Sequence, residues 1–395
     1  LSNSLEGIGW RATPALNAPG ASERGAETNG AQAPPSSAFA ELRRAPKASA
    51  DTAAMRLRSP LPSMPKQQGL TAPPTLPAPL PAQANDAWSP AQKLAFDHAG
   101  KAGMGPSDAI QLTRVVAIKE QVDSLTARLP EIRLTQPETA SRIEQLAALF
   151  DQALLARDVY YNESVPGLLP KGCSRLSEAE LAGLNLSQKD LVNEKSGYFA
   201  AVYKTGEGRY LLVNRGTEAG KEGRRDWGAN FKQGVGLGSH QHTQAMHAAR
   251  RITQAAPGQV SFAGHSLGGG LAQAQALVTG HKATVFNAAG LHSRTVKPFD
   301  TDLSNARKLI SAHNVRGEVL STMQDAAGKL MPSARGERQR LSAVRTPQEA
   351  DGLQWSEGRM GRLSAAKHTV GLHSMDSVIA SLGWQLNQLQ HAATP

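Results

Sequence analysis

An α/β architecture, with a mainly parallel sheet covered by helices on both faces, follows from two features of this 395-residue sequence. β-rich runs and helical patterns alternate from Tyr198 onward, which calls for crossover connections between parallel strands. A short strand pattern, Gln259-Val260-Ser261-Phe262-Ala263, also runs through the glycine turn Gly264-His265-Ser266-Leu267-Gly268 directly into a helical pattern, Gly269 to Leu277.

The elements can be taken in chain order. More than half of the 24 prolines precede position 91, mixed with Ala, Ser, Gln and Gly. Runs such as Pro73-Pro74-Thr75-Leu76-Pro77 hold neither helix nor ladder hydrogen bonds, so residues 1–90 are expected to be a disordered leader. Over residues 107–129, Ile110, Val115, Ile118, Val122, Leu125 and Leu129 recur at helical spacing, with Ser107-Asp108 as the cap and Pro130 as the stop. Residues 91–135 are therefore a helical segment. Pro137 opens a second helix carrying Ile143, Leu146, Phe150 and Leu154 to about Tyr160, and the main domain is placed at 136–395. Tyr198-Phe199-Ala200-Ala201-Val202-Tyr203 and Tyr210-Leu211-Leu212-Val213 flank Thr205-Gly206-Glu207-Gly208 as a hairpin. A polar loop starting at Arg215-Gly216-Thr217 follows, and then a helix over 243–255. Past the serine turn come strands at 283–287 and 308–315 and a closing helix over 374–389.

The G-x-S-x-G turn carries the chemistry. A serine at a sharp strand-to-helix turn is forced into strained dihedrals with its hydroxyl exposed, and flanking glycines avoid collisions with the neighbouring strand and helix. Ser266 is thus the candidate nucleophile. A serine hydroxyl needs a base, and the base needs a carboxylate to hold its tautomer; behind such an elbow the chain order is Ser, acid, His. His373, just before the closing helix, is the candidate base, with His368 second. His313 lies inside a predicted strand and His292 follows the elbow too soon. Glu318, after the strand ending at Val315 and before an apolar pair, is the candidate acid, with Asp325 and Asp302 behind it. The oxyanion hole needs two backbone N–H groups. They are assigned to Leu267, which follows the nucleophile, and Thr217 in the Arg-Gly-Thr loop.

These landmarks together resemble the class 3 lipase-like branch of the α/β-hydrolases. They are Val213-Asn214-Arg215-Gly216-Thr217, Asp226-Trp227, the elbow extended by Gly269-Gly270, Phe286-Asn287-Ala288-Ala289-Gly290 and Gly371-Leu372-His373-Ser374-Met375, spread over about residues 150–390. The resemblance implies hydrolysis of lipid acyl esters in glycerides or phospholipids. Asn214 stands where that family often has an apolar or aromatic residue, and Glu318 replaces its usual Asp. With its leader, the whole chain is similar to lipase-domain effector proteins that plant-pathogenic bacteria secrete into host cells. The host protein such an effector would meet is not legible.

Composition bounds the partners. A formal charge of +10 favours anionic partners, and an anionic membrane surface is preferred to nucleic acid, because aromatics are 5% of the chain and no nucleic-acid motif is present. Cys173 is the single cysteine, so no intrachain disulfide and no thiolate zinc cluster can form. No metal or cofactor is expected, and no run is long and apolar enough for a transmembrane helix. The first residues lack a secretory signal peptide pattern, and the polar leader suits export by threading the unfolded chain, hence a secreted, host-translocated protein. Glycine-rich 234–238, otherwise an ordinary loop, and the Arg-rich stretch 322–366 are the places for a lid. The alternative classes are a lipid- or host-protein-binding effector using an inactive hydrolase fold, and a serine hydrolase acting on non-lipid substrates.

Overall fold

The computed structural model describes residues 88–217, 227–327, 332–344 and 369–392, with the backbone path alone for 227–239. The expected disordered leader lies outside the described residues except for positions 88–90.

The described chain opens with four helices: α1 (Pro90–Lys101), α2 (Pro106–Ala127), α3 (Leu129–Thr135) and α4 (Pro137–Asp158). A reciprocal capping box between Ser89 and Gln92 starts α1, with Pro90 in its first turn. Gly105, not Ser107-Asp108, caps α2. Pro106 already has the φ of a first helical residue, so the helix starts earlier than expected and Asp108 falls inside its first turn. α2 ends at Ala127, and Pro130 sits in the first turn of α3. Leu112, Val115 and Leu125 of α2 join Ile143, Phe150 and Leu154 of α4 in one apolar cluster.

Next come β1 (Ser174–Arg175), α5 (Glu178–Ala182), α6 (Gln188–Leu191), β2 (Val192–Asn193), and the hairpin of β3 (Tyr198–Lys204) and β4 (Tyr210–Asn214). After α7 (Trp227–Ala255), β5 (Val260–His265) leads into α8 (Leu267–Thr279). Then follow β6 (Ala283–Phe286), the one-turn helices α9 (Ser293–Val296) and α10 (Ala306–Leu309), β7 (Ile310–Val315), α11 (Val319–Ala327), β8 (Glu337–Leu341) and α12 (Met375–Ala392).

Three of these differ from the sequence expectation. α7 starts at Trp227 rather than near 243, so the glycine-rich 234–238 stretch lies on a helix and not in a loop. Intrinsic propensity, about 1 kcal/mol against each glycine, is a weak prior that tertiary context overrides. Lys308-Leu309 belong to α10, so β7 begins two residues later than expected. Within 322–366, the described parts are the end of α11, strand β8 and the short loops on either side of that strand at 332–336 and 342–344; 328–331 and 345–366 lie outside the described residues.

The strand order is β1-β3-β4-β5-β6-β7-β8, with β2 also beside β3. Pairings of β3 are antiparallel, and β4 through β8 are parallel. Side chains alternate across the sheet as period two requires. Tyr203, Val213, Phe286 and Val315 face the cluster with α2, α4 and α12. Val202, Leu212, Phe262, Val285 and Ala312 face a second cluster, formed with α7 and α8. Helix layers thus cover both faces of a mixed, mostly parallel sheet: an α/β-hydrolase fold. Among the described residues no helix is long and apolar enough to cross a membrane.

Candidate active site

Ser266 sits between β5 and α8 at φ 56°, ψ −125°, in the left-handed half of backbone space. Such strain costs a non-glycine residue on the order of 1–3 kcal/mol and needs support from its surroundings. Here Ser266 N–H donates to Phe286 O (3.1 Å), and Ala289 N–H donates to Ser266 O (2.9 Å). The flanking glycines are required by close approach: a Cβ on Gly269 would lie 2.5 Å from the Ala288 Cβ, and one on Gly264 would run into the Gly268 backbone.

His373 lies in the turn before α12. That helix buries Met375, Val378, Ile379, Leu382 and Leu386 along one stripe. At about 1.5–3 kcal/mol for each such side chain, the stripe fixes the loop that carries the imidazole. Ser266 Oγ–H donates to His373 Nε2 (2.9 Å), and His373 Nδ1–H donates to Glu318 Oε2 (2.6 Å). All three residues are buried.

Glu318 follows β7 through a turn at Gly317, where φ is +82°. It directly precedes α11, and its carboxylate accepts from the N–H of Leu320 (2.8 Å) and of Ser321. The apolar pair Val319-Leu320 therefore opens a helix whose orphan N–H groups hold the carboxylate. Burial pushes the Glu318 carboxyl up, but His373 and Ser321 outweigh it, so the group titrates below its ordinary value. The other acids stand elsewhere. Asp325 pairs with Arg338 (3.2 Å) and Arg340 (3.3 Å), and exposed Asp302 caps a turn at Ser304. His368 lies outside the described residues.

The Arg215-Gly216-Thr217 backbone runs beside the nucleophile: a Cβ on Gly216 would be 3.1 Å from Ser266 Cβ. Leu267 is the first residue of α8, where helix N–H groups lack intrahelical partners. The Ser266 hydroxyl, the His373 imidazole and the Glu318 carboxylate thus meet at the carboxyl ends of the strands, the edge where open α/β sheets place ligands. The arrangement can deprotonate the hydroxyl and hold the resulting imidazolium against a carboxylate. Among the described residues no group of three or more His, Cys, Asp or Glu side chains is placed to hold a metal ion.

Four supporting residues escaped the sequence reading. Tyr160, just past α4, donates its hydroxyl to His265 Nδ1 (2.6 Å) and accepts from Gly216 N–H (3.2 Å). His265 Nε2–H in turn donates to His373 O (2.6 Å). Burial first, and then neighbouring His373, push His265 down to about 3, so it stays neutral with its proton on Nε2. Asn287 donates to Leu372 O (3.1 Å) and His373 O (3.0 Å) and accepts from Val315 N–H, tying β7 to the histidine loop. Arg157 pairs with Asp376 at 2.7 Å, three residues past His373. The signal for Asn287 was a polar residue at the end of an apolar strand. For Tyr160 no local signal exists, because its partner is 105 residues away.

Removing the Tyr160 hydroxyl leaves a buried acceptor and a buried N–H unpaired. Tyr160→Phe is therefore expected to cost about 1–3 kcal/mol of stability and to lower kcat more than it changes KM. Thermal unfolding and ester kinetics on the same protein check this; an unchanged kcat contradicts it.

His313, on β7 away from Ser266, tests the electrostatics of the interior. Burial pushes it from 6.5 down to about 4. Between these values the unfolded chain binds the proton and the folded chain does not, so this group lowers stability as pH falls. Wild type should lose ground to His313→Leu by up to about 1.4 kcal/mol for each pH unit from 6.5 to 4. Urea unfolding at pH 7 and pH 5 measures the gap; a gap that does not widen contradicts the burial.

Comparison with known proteins finds phospholipase relatives. The profile of the Tle-like phospholipase domain matches residues 151–367. An extracellular phospholipase A1 of Serratia liquefaciens is 31% identical over 294 residues, covering 73% of this chain and 87% of that protein. A thermostable carboxylesterase from a metagenomic library, EstE1, aligns over 58% of this chain and 97% of its own, at 11% identity and a TM-score of 0.23. The lipase and phospholipase kinship expected from the landmarks is what the first two matches show: the chain belongs to the Tle-like phospholipase family of carboxylic ester hydrolases.

Proposed function

We propose that this protein hydrolyses the sn-1 acyl ester of a phospholipid by acyl transfer through Ser266. The observation that carries the reading is the continuous hydrogen-bonded path Ser266–His373–Glu318, at 2.9 and 2.6 Å. His373 Nε2 takes the Ser266 proton as Oγ attacks the ester carbonyl. Glu318 stays ionised and balances the imidazolium. The N–H groups of Leu267 and Thr217 receive the developing oxyanion. The lysophospholipid leaves, protonated by Nε2, and an acyl-serine remains. Water then repeats the sequence and frees the fatty acid. No metal or cofactor enters the cycle.

A phospholipid is preferred to a glyceride because of the family and because the named relative is a phospholipase A1. The formal charge of +10 favours an anionic bilayer as the working surface. The extracellular relative and the polar leader support secretion. Delivery into a host cell, as a virulence effector attacking host membrane lipid, is the fuller form of this reading.

Product analysis on mixed phosphatidylcholine and phosphatidylglycerol vesicles tests it. Wild type should release fatty acid and leave a lysophospholipid that keeps its sn-2 chain, and Ser266→Ala should release neither. Release of the sn-2 chain, or activity confined to neutral glycerides or water-soluble esters, overturns it.

A further inference from the structure

We propose that the cleft between α11 and strand β8 is a phosphate-binding site, separate from the Ser266 centre. The cleft measures about 170 Å³ and is lined by Asn314, Arg316, Ser321, Asp325, Arg338 and Arg340, among others. It lies below the roughly 300–1,000 Å³ of whole-ligand pockets, so it takes a headgroup-sized moiety and not an acyl chain.

Register fixes what faces it. In the parallel pair, Ala312 stands opposite Arg338 and Asn314 opposite Arg340. Side chains two apart share a face, so Asn314, Arg338 and Arg340 lie on one side of the sheet. Asp325 of α11 pairs with both arginines, which places α11 over that same side. Asn314 therefore forms the floor of the cleft. It is 4% exposed, yet among the described residues neither Nδ2 nor Oδ1 has a partner. Buried amides are nearly always hydrogen-bonded, and an orphan pair at the base of a cleft marks a place for a polar occupant.

Charge specifies that occupant. Three guanidinium groups face one carboxylate, leaving two positive charges in excess among the described residues. Arg316 has no ion-pair partner there. Guanidinium forks match the oxygens of a phosphate, and an Arg shared with a carboxylate keeps further N–H donors. The Asn314 amide, also lining the cleft, adds a neutral donor, while the Ser321 hydroxyl is held by the Glu318 carboxylate.

Position links the site to a lipid surface. The cleft opens at the carboxyl end of β7, the sheet edge from which Ser266, Asn287 and Glu318 also follow their strands. A bilayer approached by that edge presents phosphodiesters to the cleft. Free phosphate has the same chemistry, so the test separates the two sources.

The protein to use is full-length Ser266→Ala, which makes the outcome independent of hydrolysis. Titration with inorganic phosphate is followed by calorimetry. Flotation uses phosphatidylcholine vesicles with and without phosphatidylglycerol. Arg316→Gln with Arg340→Gln should weaken binding about tenfold per arginine. Asn314→Leu removes the orphan amide and fills the floor, so it should abolish binding while the protein melts no lower than its parent. Saturable phosphate binding lost in both variants supports a site for soluble phosphate. Flotation on phosphatidylglycerol lost in both, without free-phosphate binding, supports a bilayer phosphodiester. Binding of neither probe, or equal binding by parent and variants, overturns the proposal.

Discussion

Ser266→Ala should lower hydrolysis of a short p-nitrophenyl ester by about 10⁴-fold or more while leaving the circular dichroism spectrum and melting temperature close to wild type. The size of the loss follows from what the hydroxyl does in the proposed cycle. It forms the acyl intermediate, and donors alone then leave only residual catalysis. The fold should survive because Ser266 Oγ hydrogen-bonds to His373 Nε2, while the strained turn is held by backbone bonds to Phe286 and Ala289. Loss of folding would show that the side chain supports the elbow. Retained turnover would remove Ser266 from the mechanism.

Glu318→Gln is expected to cut kcat by about 10³–10⁴ with KM nearly unchanged, because an amide neither fixes the Nδ1–H tautomer of His373 nor balances an imidazolium. Asp325→Ala should leave kcat near wild type, since Asp325 is occupied with Arg338 and Arg340. The reverse pattern would move the acid. Glu318 also has a structural duty at the start of α11, where its two backbone partners are buried. Glu318→Ala should therefore cost a further 1–3 kcal/mol or so beyond any effect on rate. The pH sense is definite. With a folded value below the ordinary 4.5, ionised Glu318 stabilises the fold above that range, and the contribution disappears as pH falls through the folded value. The stability difference between wild type and Glu318→Gln should narrow in acid, and urea unfolding at neutral and acidic pH measures it.

The parts of the molecule legible in the sequence are those with short-range physical causes. The elbow is one: Gly264, Gly268 and Gly269 are needed because backbone and Ala288 crowd a turn of a few residues. The hairpin of β3 and β4 and the stripe of α12 are others, because period two and period 3.6 are local patterns. The meeting of Ser266, Glu318 and His373 could be anticipated because chain order on a parallel sheet constrains which loops share an edge.

What was missed depends on distant partners or on exposure. Tyr160 looks like the end of an amphipathic helix until β5 delivers His265 beneath it. Asn214, which looked like a departure from the lipase pattern, is buried and bonded to Gln275 (2.7 Å), an amide pair joining β4 to the elbow helix. Neither residue alone signals the other. Strand β8, Glu337-Arg338-Gln339-Arg340-Leu341, has one buried residue and lies at the sheet edge, so its composition resembles a charged loop. The early start of α7 was hidden by its glycines, whose propensity argues against the helix they occupy.

The central claim is that Ser266, activated by His373 and oriented through Glu318, is the group that takes up the acyl chain. The direct measurement is mass spectrometry of the full-length protein after exposure to a fluorophosphonate probe. The prediction is one adduct, on the peptide carrying Ser266, formed far more slowly in His373→Ala and absent in Ser266→Ala. An adduct on another residue, or phospholipid hydrolysis that continues with Ser266 unlabelled, would contradict it.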